Sequence, residues 1–185
     1  NFTLACIRAQ DLVRSASTAE MGALLQQSAA LGQTAHFCAL LLHVLARGDA
    51  VEALMQTNEQ GESVLHLAAV KGHLEVAKLL VEAGGRELLM LTTDNGWSCL
   101  HSAAEEGHLE VAKLLVEAGG RELLMLTASN SLTHGWSCLH VAAEEGHLEV
   151  TKLLVEAGGR ELLMLTFGNH FSCLHIAAGK GHVEL

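Results

Sequence analysis

Proline is absent from this 185-residue chain, aromatic side chains make up 3% of it, and acidic residues outnumber basic ones, 21 to 11. Without proline, and with leucine and alanine abundant, little in the backbone resists a helix, so an all-α fold is expected. The longest apolar run, Phe37 to Ala46, is interrupted by His43. It has about half of the ~20 residues that a membrane-spanning helix needs. The first residues, with Arg8 and Asp11, lack the basic start, apolar centre and small-residue cleavage site of a signal peptide, so a cytoplasmic or nuclear location is expected. The net charge of −10 opposes sequence-independent nucleic-acid binding and an anionic membrane surface. A protein partner with a basic or neutral surface fits that charge better.

Against these shortages stands one abundance, that of copies. The stretch from His73 to Thr92, HLEVAKLLVEAGGRELLMLT, recurs letter for letter from His108 to Thr127. It returns from His147 to Thr166 with Thr151 in place of alanine. A unit of about 35 residues is too small to bury a core of its own, so its copies must cover one another and produce a long open surface. The expected division is an N-terminal helical segment, 1–57, then units 58–92, 93–127, 128–166 and a truncated 167–185. The chain begins at Asn1 and stops within a repeat, and is expected to be a piece of something longer.

Within the unit Asn58 to Thr92, Ser63 reads as an N-cap whose hydroxyl accepts from a free backbone N–H. Leu65, Ala68 and Ala69 follow at i, i+3 and i+4 on one face of a short helix, which Gly72 ends by supplying left-handed backbone. A second helix runs from about Leu74 to Ala83 with Val76, Leu79, Leu80 and Ala83 inward and Glu75, Lys78 and Glu82 outward, spaced to pair. Gly84 and Gly85 break it, and ELLMLT leads to the next unit.

The motif Gly61-Glu62-Ser63-Val64-Leu65-His66-Leu67-Ala68-Ala69, followed by Gly72-His73-Leu74-Glu75-Val76 and Lys78-Leu79-Leu80, resembles the ankyrin repeat. Its frame recurs at Gly96-Trp97-Ser98-Cys99-Leu100-His101, at Gly135-Trp136-Ser137-Cys138-Leu139-His140 and at Phe171-Ser172-Cys173-Leu174-His175. The resemblance covers Asn58 to Leu185, and Leu42 to Asp49 looks like a decayed, shortened copy. It implies an ankyrin-type helix-turn-helix solenoid with an N-terminal helical cap, which binds a partner protein on a concave face. The chain departs from the family in three places. Ser-Val or Ser-Cys replaces Thr-Pro, GGRELLMLT replaces the usual hairpin-forming loop, and His170 stands where other units have glycine, a less comfortable choice for left-handed backbone.

Several residue sets could carry function. His66/His73, His101/His108, His140/His147 and His175/His182 are spaced across a helix break, so spacing alone does not converge two imidazoles on a metal. The first of each pair is expected to bond the capping serine and the second to order the turn, with a metal site as the rival reading. Cys99, Cys138 and Cys173 share one repeat position. Stacked copies lie ~10 Å apart, beyond the ~7 Å limit for a disulfide, so reduced thiols are expected. They serve either as small packing groups or as thiolates favoured by the helix N-terminus.

Glu105-Glu106 and Glu144-Glu145 precede the helix-ending glycines of consecutive units, where the resemblance implies the partner face. They form either a site for a Lys- or Arg-bearing partner or a solvated acidic face. Trp97, Trp136 and Phe171 form an aromatic ladder, ready either to anchor a ligand or to lie on one another. Lys71, Asp94, Asn95 and His134 complete the expected partner-binding set. Adjacent glutamates on a helix diverge by ~100° and no nucleophile accompanies them, so no enzyme, cofactor or metal is expected. The insertion Ala128 to His134 is expected to spare the stack.

Before Asn58, helices are expected near Leu4–Arg14, Ala19–Leu31, Thr34–Ala46 and Asp49–Gln56, with Ser17 and Glu20 spaced as a capping box. This segment reads either as a cap over Leu65 and Leu79 or as the edge of another domain. A helix beginning near Val183 is expected to fray. The favoured function is a monomeric protein-interaction module. The alternative is a regulatory or spacer segment of an enzyme or channel whose active part lies elsewhere.

Overall fold

The structure, a computed structural model, describes residues 16–128, 135–168 and 170–185. Its helices are α1 (Thr18–Ala30), α2 (Thr34–Arg47), α3 (Ala50–Leu54), α4 (Val64–Val70), α5 (Leu74–Leu89), α6 (Cys99–Glu105), α7 (Leu109–Leu124), α8 (Cys138–Glu145), α9 (Leu148–Leu163) and α10 (Cys173–Lys180). Two short strands, β1 (Thr166–Phe167) and β2 (Phe171–Ser172), pair antiparallel between α9 and α10. The expected helix Leu4–Arg14 lies outside the described residues.

The helices stack in two layers. In one, α1 packs on α4, α4 on α6, α6 on α8 and α8 on α10; in the other, α5 packs on α7 and α7 on α9. This series of like against like is an all-α helical solenoid. The interior is built from repeat-equivalent side chains: Leu65, Leu100 and Leu139 are completely buried, as are Leu80, Leu115 and Leu154. The alanine pairs Ala68-Ala69, Ala103-Ala104 and Ala142-Ala143 are buried where first helices meet; side chains this short let the backbones approach closely.

Each second helix carries Lys-Glu pairs on its solvent side, Lys78–Glu75 at 2.8 Å, Lys113–Glu110 at 2.7 Å and Lys152–Glu149 at 2.9 Å. The inward stripe differs from expectation. Ala77 is buried with Val76 and Leu80, while Leu79 and Ala83 are only half-buried, because the stacking neighbour meets the helix about one position round from the sequence stripe.

Gly85 turns the chain with φ 56° and ψ −151°, and Gly120 and Gly159 do the same in their copies. The residues after it wind one more helical turn, which buries Leu88 and Leu89. Contrary to expectation, GGRELLMLT does not replace the hairpin: it adds this turn ahead of one. Thr57 pairs with Ser63, Thr92 with Ser98 and Thr127 with Ser137 in antiparallel bridges. The insertion mostly lies outside the described residues, but its flanks close normally, the Ala128 N–H donating to the Trp136 carbonyl at 2.7 Å. His170 holds φ 66°, the one positive φ at a non-glycine residue among the described residues.

At the amino end, the Ser17 N–H donates to a Glu20 carboxylate oxygen at 2.7 Å and the Glu20 N–H to the Ser17 hydroxyl at 3.3 Å, which completes the anticipated capping box. Leu42 to Asp49, which looked like a decayed, shortened copy, forms the end of α2 and its Gly48 cap. The first-helix place belongs to α1, which packs on α4 as α4 packs on α6. Past α10 the chain forms a turn, and Val183 is 94% exposed. No described residue from Val183 onward is helical.

Thr151, the one letter that differs among the three long copies, stands where Ala77 and Ala112 are completely buried. Its hydroxyl is buried without a hydrogen-bond partner. Thr151→Ala should therefore raise stability by about 1 kcal/mol, from relief of the unpaired hydroxyl and better helix propensity. Urea unfolding followed by circular dichroism checks this.

Candidate functional site

The site grows from the start of each first helix. Ser63 holds extended backbone at φ −81°, ψ 169°, and both its N–H and its hydroxyl donate to His66 Nδ1, at 3.3 and 2.8 Å. With Nδ1 accepting, Nε2 carries the proton and donates to the Trp97 carbonyl of the next hairpin at 3.0 Å. His101 repeats this, bonding Ser98 at 2.8 Å and the Trp136 carbonyl at 3.2 Å. Burial pushes His66 below the usual imidazole range and His101 down to about 4. The neighbouring imidazoles of His66 and His140 contribute to that lowering after burial.

The second histidines do more than order a turn. His73, His108, His147 and His182 donate to carbonyls of the preceding unit, those of Ala30, Val70, Glu105 and Glu144, at 2.8–3.3 Å. The second row, with His66 and His101 of the first, joins one unit to the next, whereas His140 Nε2 is buried without a hydrogen-bond partner, and among the described residues no group of His, Cys, Asp and Glu could hold a metal ion. Cys99 and Cys138 are completely buried, with thiols pushed up to about 12 by loss of water. Their environment is that of packing groups rather than nucleophiles.

Stacking places the hairpins beside the first helices and opens a groove of ≈ 320 Å³ between two units. Gln60 and Glu62 of one hairpin, Thr93, Asn95 and Trp97 of the next, and Ser102 and Glu105 of α6 line it. Trp97 is half-buried, its ring centre 5.8 Å from that of His101. Glu105 is raised above the ordinary carboxylate value, first by lost hydration and then by repulsion from Glu106, Glu145, Glu144 and Glu62. The structure thus gathers all four expected glutamates and adds Glu62.

One carboxylate is already neutralised: Lys180 bonds Glu144 at 2.9 Å. Lys71 is exposed just past α4, and Asp94 is exposed at a hairpin turn. His134 lies outside the described residues.

The aromatic ladder divides. Phe167, which the sequence reading did not single out, sits edge-on to Trp136 at 5.1 Å and 6.0 Å from Phe171, joining these three rings to one another. Trp97 stands apart beside its groove. Gln60, Thr93 and Ser102 were also missed, since only stacking brings these ordinary polar residues together.

Comparison with known families matches the description "Ankyrin repeats (3 copies)" over residues 25–123, 85–161 and 121–185. The chain belongs to the ankyrin repeat family, whose members are generally protein–protein interaction modules. The match begins at residue 25, ahead of the frame legible from Asn58. No curated protein matches the chain. No helix among the described residues is long and apolar enough to cross a membrane.

Proposed function

We propose that this chain binds another protein along the face formed by its hairpins and first helices, with Trp97 as the apolar anchor and Glu62, Glu105, Glu106 and Glu145 receiving Lys or Arg side chains. The observation that carries this reading is the coincidence of the Trp97 groove with a carboxylate cluster that holds Glu105 above its ordinary value. A cation entering the groove would relieve that repulsion, and an aromatic at the centre of a polar rim is the usual form of a binding hot spot. Trp136 and Phe171, already packed with Phe167, contribute less, and Asn95, Asp94 and Lys71 form the rim. The role needs neither catalysis nor a cofactor. In the accompanying domain proposal, residues 1–57 act as a cap over the array 58–185, with Glu20 and Gln27 facing solvent on α1.

Panning a displayed peptide library on the immobilised chain tests this. Selected peptides should be rich in Lys and Arg, and Trp97→Ala should weaken their binding by about 2 kcal/mol. Lys152→Ala, on the outer layer, should leave it unchanged. Equal binding by Trp97→Ala and the parent chain would rule out the site.

A further inference from the structure

Ser102 departs from the rule of its repeat position. The residue after the first-row histidine is Leu67, Val141 or Ile176 in the other units, and only here is it polar. The side chain is 5% exposed, and a buried hydroxyl left without a partner costs free energy. Ser28, also buried within a helix, donates to the Leu25 carbonyl at 3.0 Å. Ser102 has no such bond: among the described residues only its backbone takes part, the N–H donating to the Ser98 carbonyl and the carbonyl accepting from the Glu106 N–H. What Ser102 faces is the groove beside Trp97, of whose lining it is the one buried member.

The other groups of the groove suit one kind of guest. Asn58 Nδ2 donates to a Glu62 carboxylate oxygen at 2.7 Å, and Asn58 Oδ1 accepts from the Glu62 N–H at 2.9 Å, so this carboxylate is held in place from the hairpin side. Thr93 Oγ1 accepts from the Trp97 N–H at 3.1 Å and fixes the backbone that carries the indole. Among the described residues Glu62 and Glu105 make no ion pair, whereas Glu144 in the next unit is neutralised by Lys180. Two carboxylates and a buried hydroxyl therefore surround a half-buried indole. At the following junction Trp97, Val141 and Ala128 take the places of Glu62, Ser102 and Thr93, so this set of acceptors occurs once in the array.

We infer that the groove is a pocket for one arginine side chain of the partner, a reading that rests on the protein-binding role proposed above and narrows it from cations in general to a guanidinium. A guanidinium is flat and weakly hydrated, stacks on an indole face and directs five N–H donors outward in its own plane. Lying on Trp97, it meets a carboxylate from each side, Glu62 on the hairpin and Glu105 on α6, and donates a remaining N–H to Ser102 Oγ at the floor. A lysine ammonium brings the same charge as a compact, strongly hydrated point without a flat face. It pairs with a carboxylate at the rim and leaves Ser102 unanswered.

Two capped peptides, Gly-Gly-Arg-Gly-Gly and Gly-Gly-Lys-Gly-Gly, titrated into the full chain and followed by the indole N–H signals in NMR, test this, with Trp97→Phe assigning the two indoles. The arginine peptide should shift the Trp97 signal, leave that of Trp136 in place and bind about 10-fold tighter than the lysine peptide. Ser102→Val, which installs the residue found at this position in α8, should erase the preference for arginine while leaving lysine binding and α-helical circular dichroism unaltered. Equal affinities in the parent chain, a preference that survives Ser102→Val, or no shift of Trp97 with the arginine peptide would each overturn the pocket. A Trp97 shift with equal affinities would remove the guanidinium preference alone and keep a general cation site, whereas library peptides without basic residues would remove the broader reading.

Discussion

Lowering the pH from 7 to 4 is expected to remove several kcal/mol from the unfolding free energy. The cause is the row of buried first histidines. His66, His101 and His140 are all held below the ordinary imidazole value, with burial the leading cause in each. Protonating Nδ1 would also destroy the acceptor that the capping serine N–H needs. A group whose folded pKa is depressed binds more protons when unfolded, so its contribution is complete above pH 6.5 and is lost as pH falls toward the folded value. For His101, displaced from 6.5 to about 4, the loss comes to about 3 kcal/mol at 1.36 kcal/mol per pH unit.

Neighbouring charges modulate the effect. Glu62 favours the protonated form of His66, and the carbonyls of Phe171 and Leu165 act likewise on His140. Glu105, raised in the folded state, works in the opposite direction and offsets part of the loss. Urea titrations at intervals between pH 4 and 7 should give stabilities that climb steadily up to about pH 6.5. Equal stability at pH 5 and pH 7 would mean that these imidazoles are not sealed between units.

The second large effect is positional. Leu100→Ala removes a completely buried side chain at the centre of the stack and should cost about 3 kcal/mol, within the usual range for a core leucine. Leu174→Ala changes the same repeat position in α10, where the side chain is 58% exposed, and should cost well under 1 kcal/mol. Sequence context is nearly the same at the two sites, so only the covering neighbour distinguishes them. Paired chemical-denaturation midpoints would show the difference directly, and similar losses would argue that each unit buries its own leucine.

The physical legibility of this chain follows from what is local and what is not. Ser63, Leu65 and His66 declare a capped helix because cap, apolar stripe and terminating glycine lie within ten residues of one another. The left-handed backbone at His170 is likewise readable from the glycines at equivalent positions. What could not be read is which copy a side chain touches. Arg86 and Glu87 adjoin in sequence, yet Arg86 pairs with Glu122 of the next unit, and identical copies offer no mark to separate the two choices. His73 reaches the Ala30 carbonyl for the same reason.

The candidate site divides in the same way. Trp97 and the glutamates were visible as unusual residues at repeated positions, whereas the groove exists only once Gln60, Thr93 and Ser102 meet across a junction. Phe167 escaped notice because its equivalents are Thr93 and Ala128, so no repeated pattern pointed to it. Lys180 was hidden in a different manner: it follows Gly179 where the two preceding units have paired glutamates, and its bond to Glu144 spans two units.

Amide hydrogen exchange, read helix by helix at neutral pH, probes most directly the claim that each unit is held by its neighbours. Protection should be greatest in α6, covered on both sides by α4 and α8, and least in α10, where the outer side is open. Equal protection of α6 and α10, or a maximum in α10, would contradict a stack of mutually sealed copies.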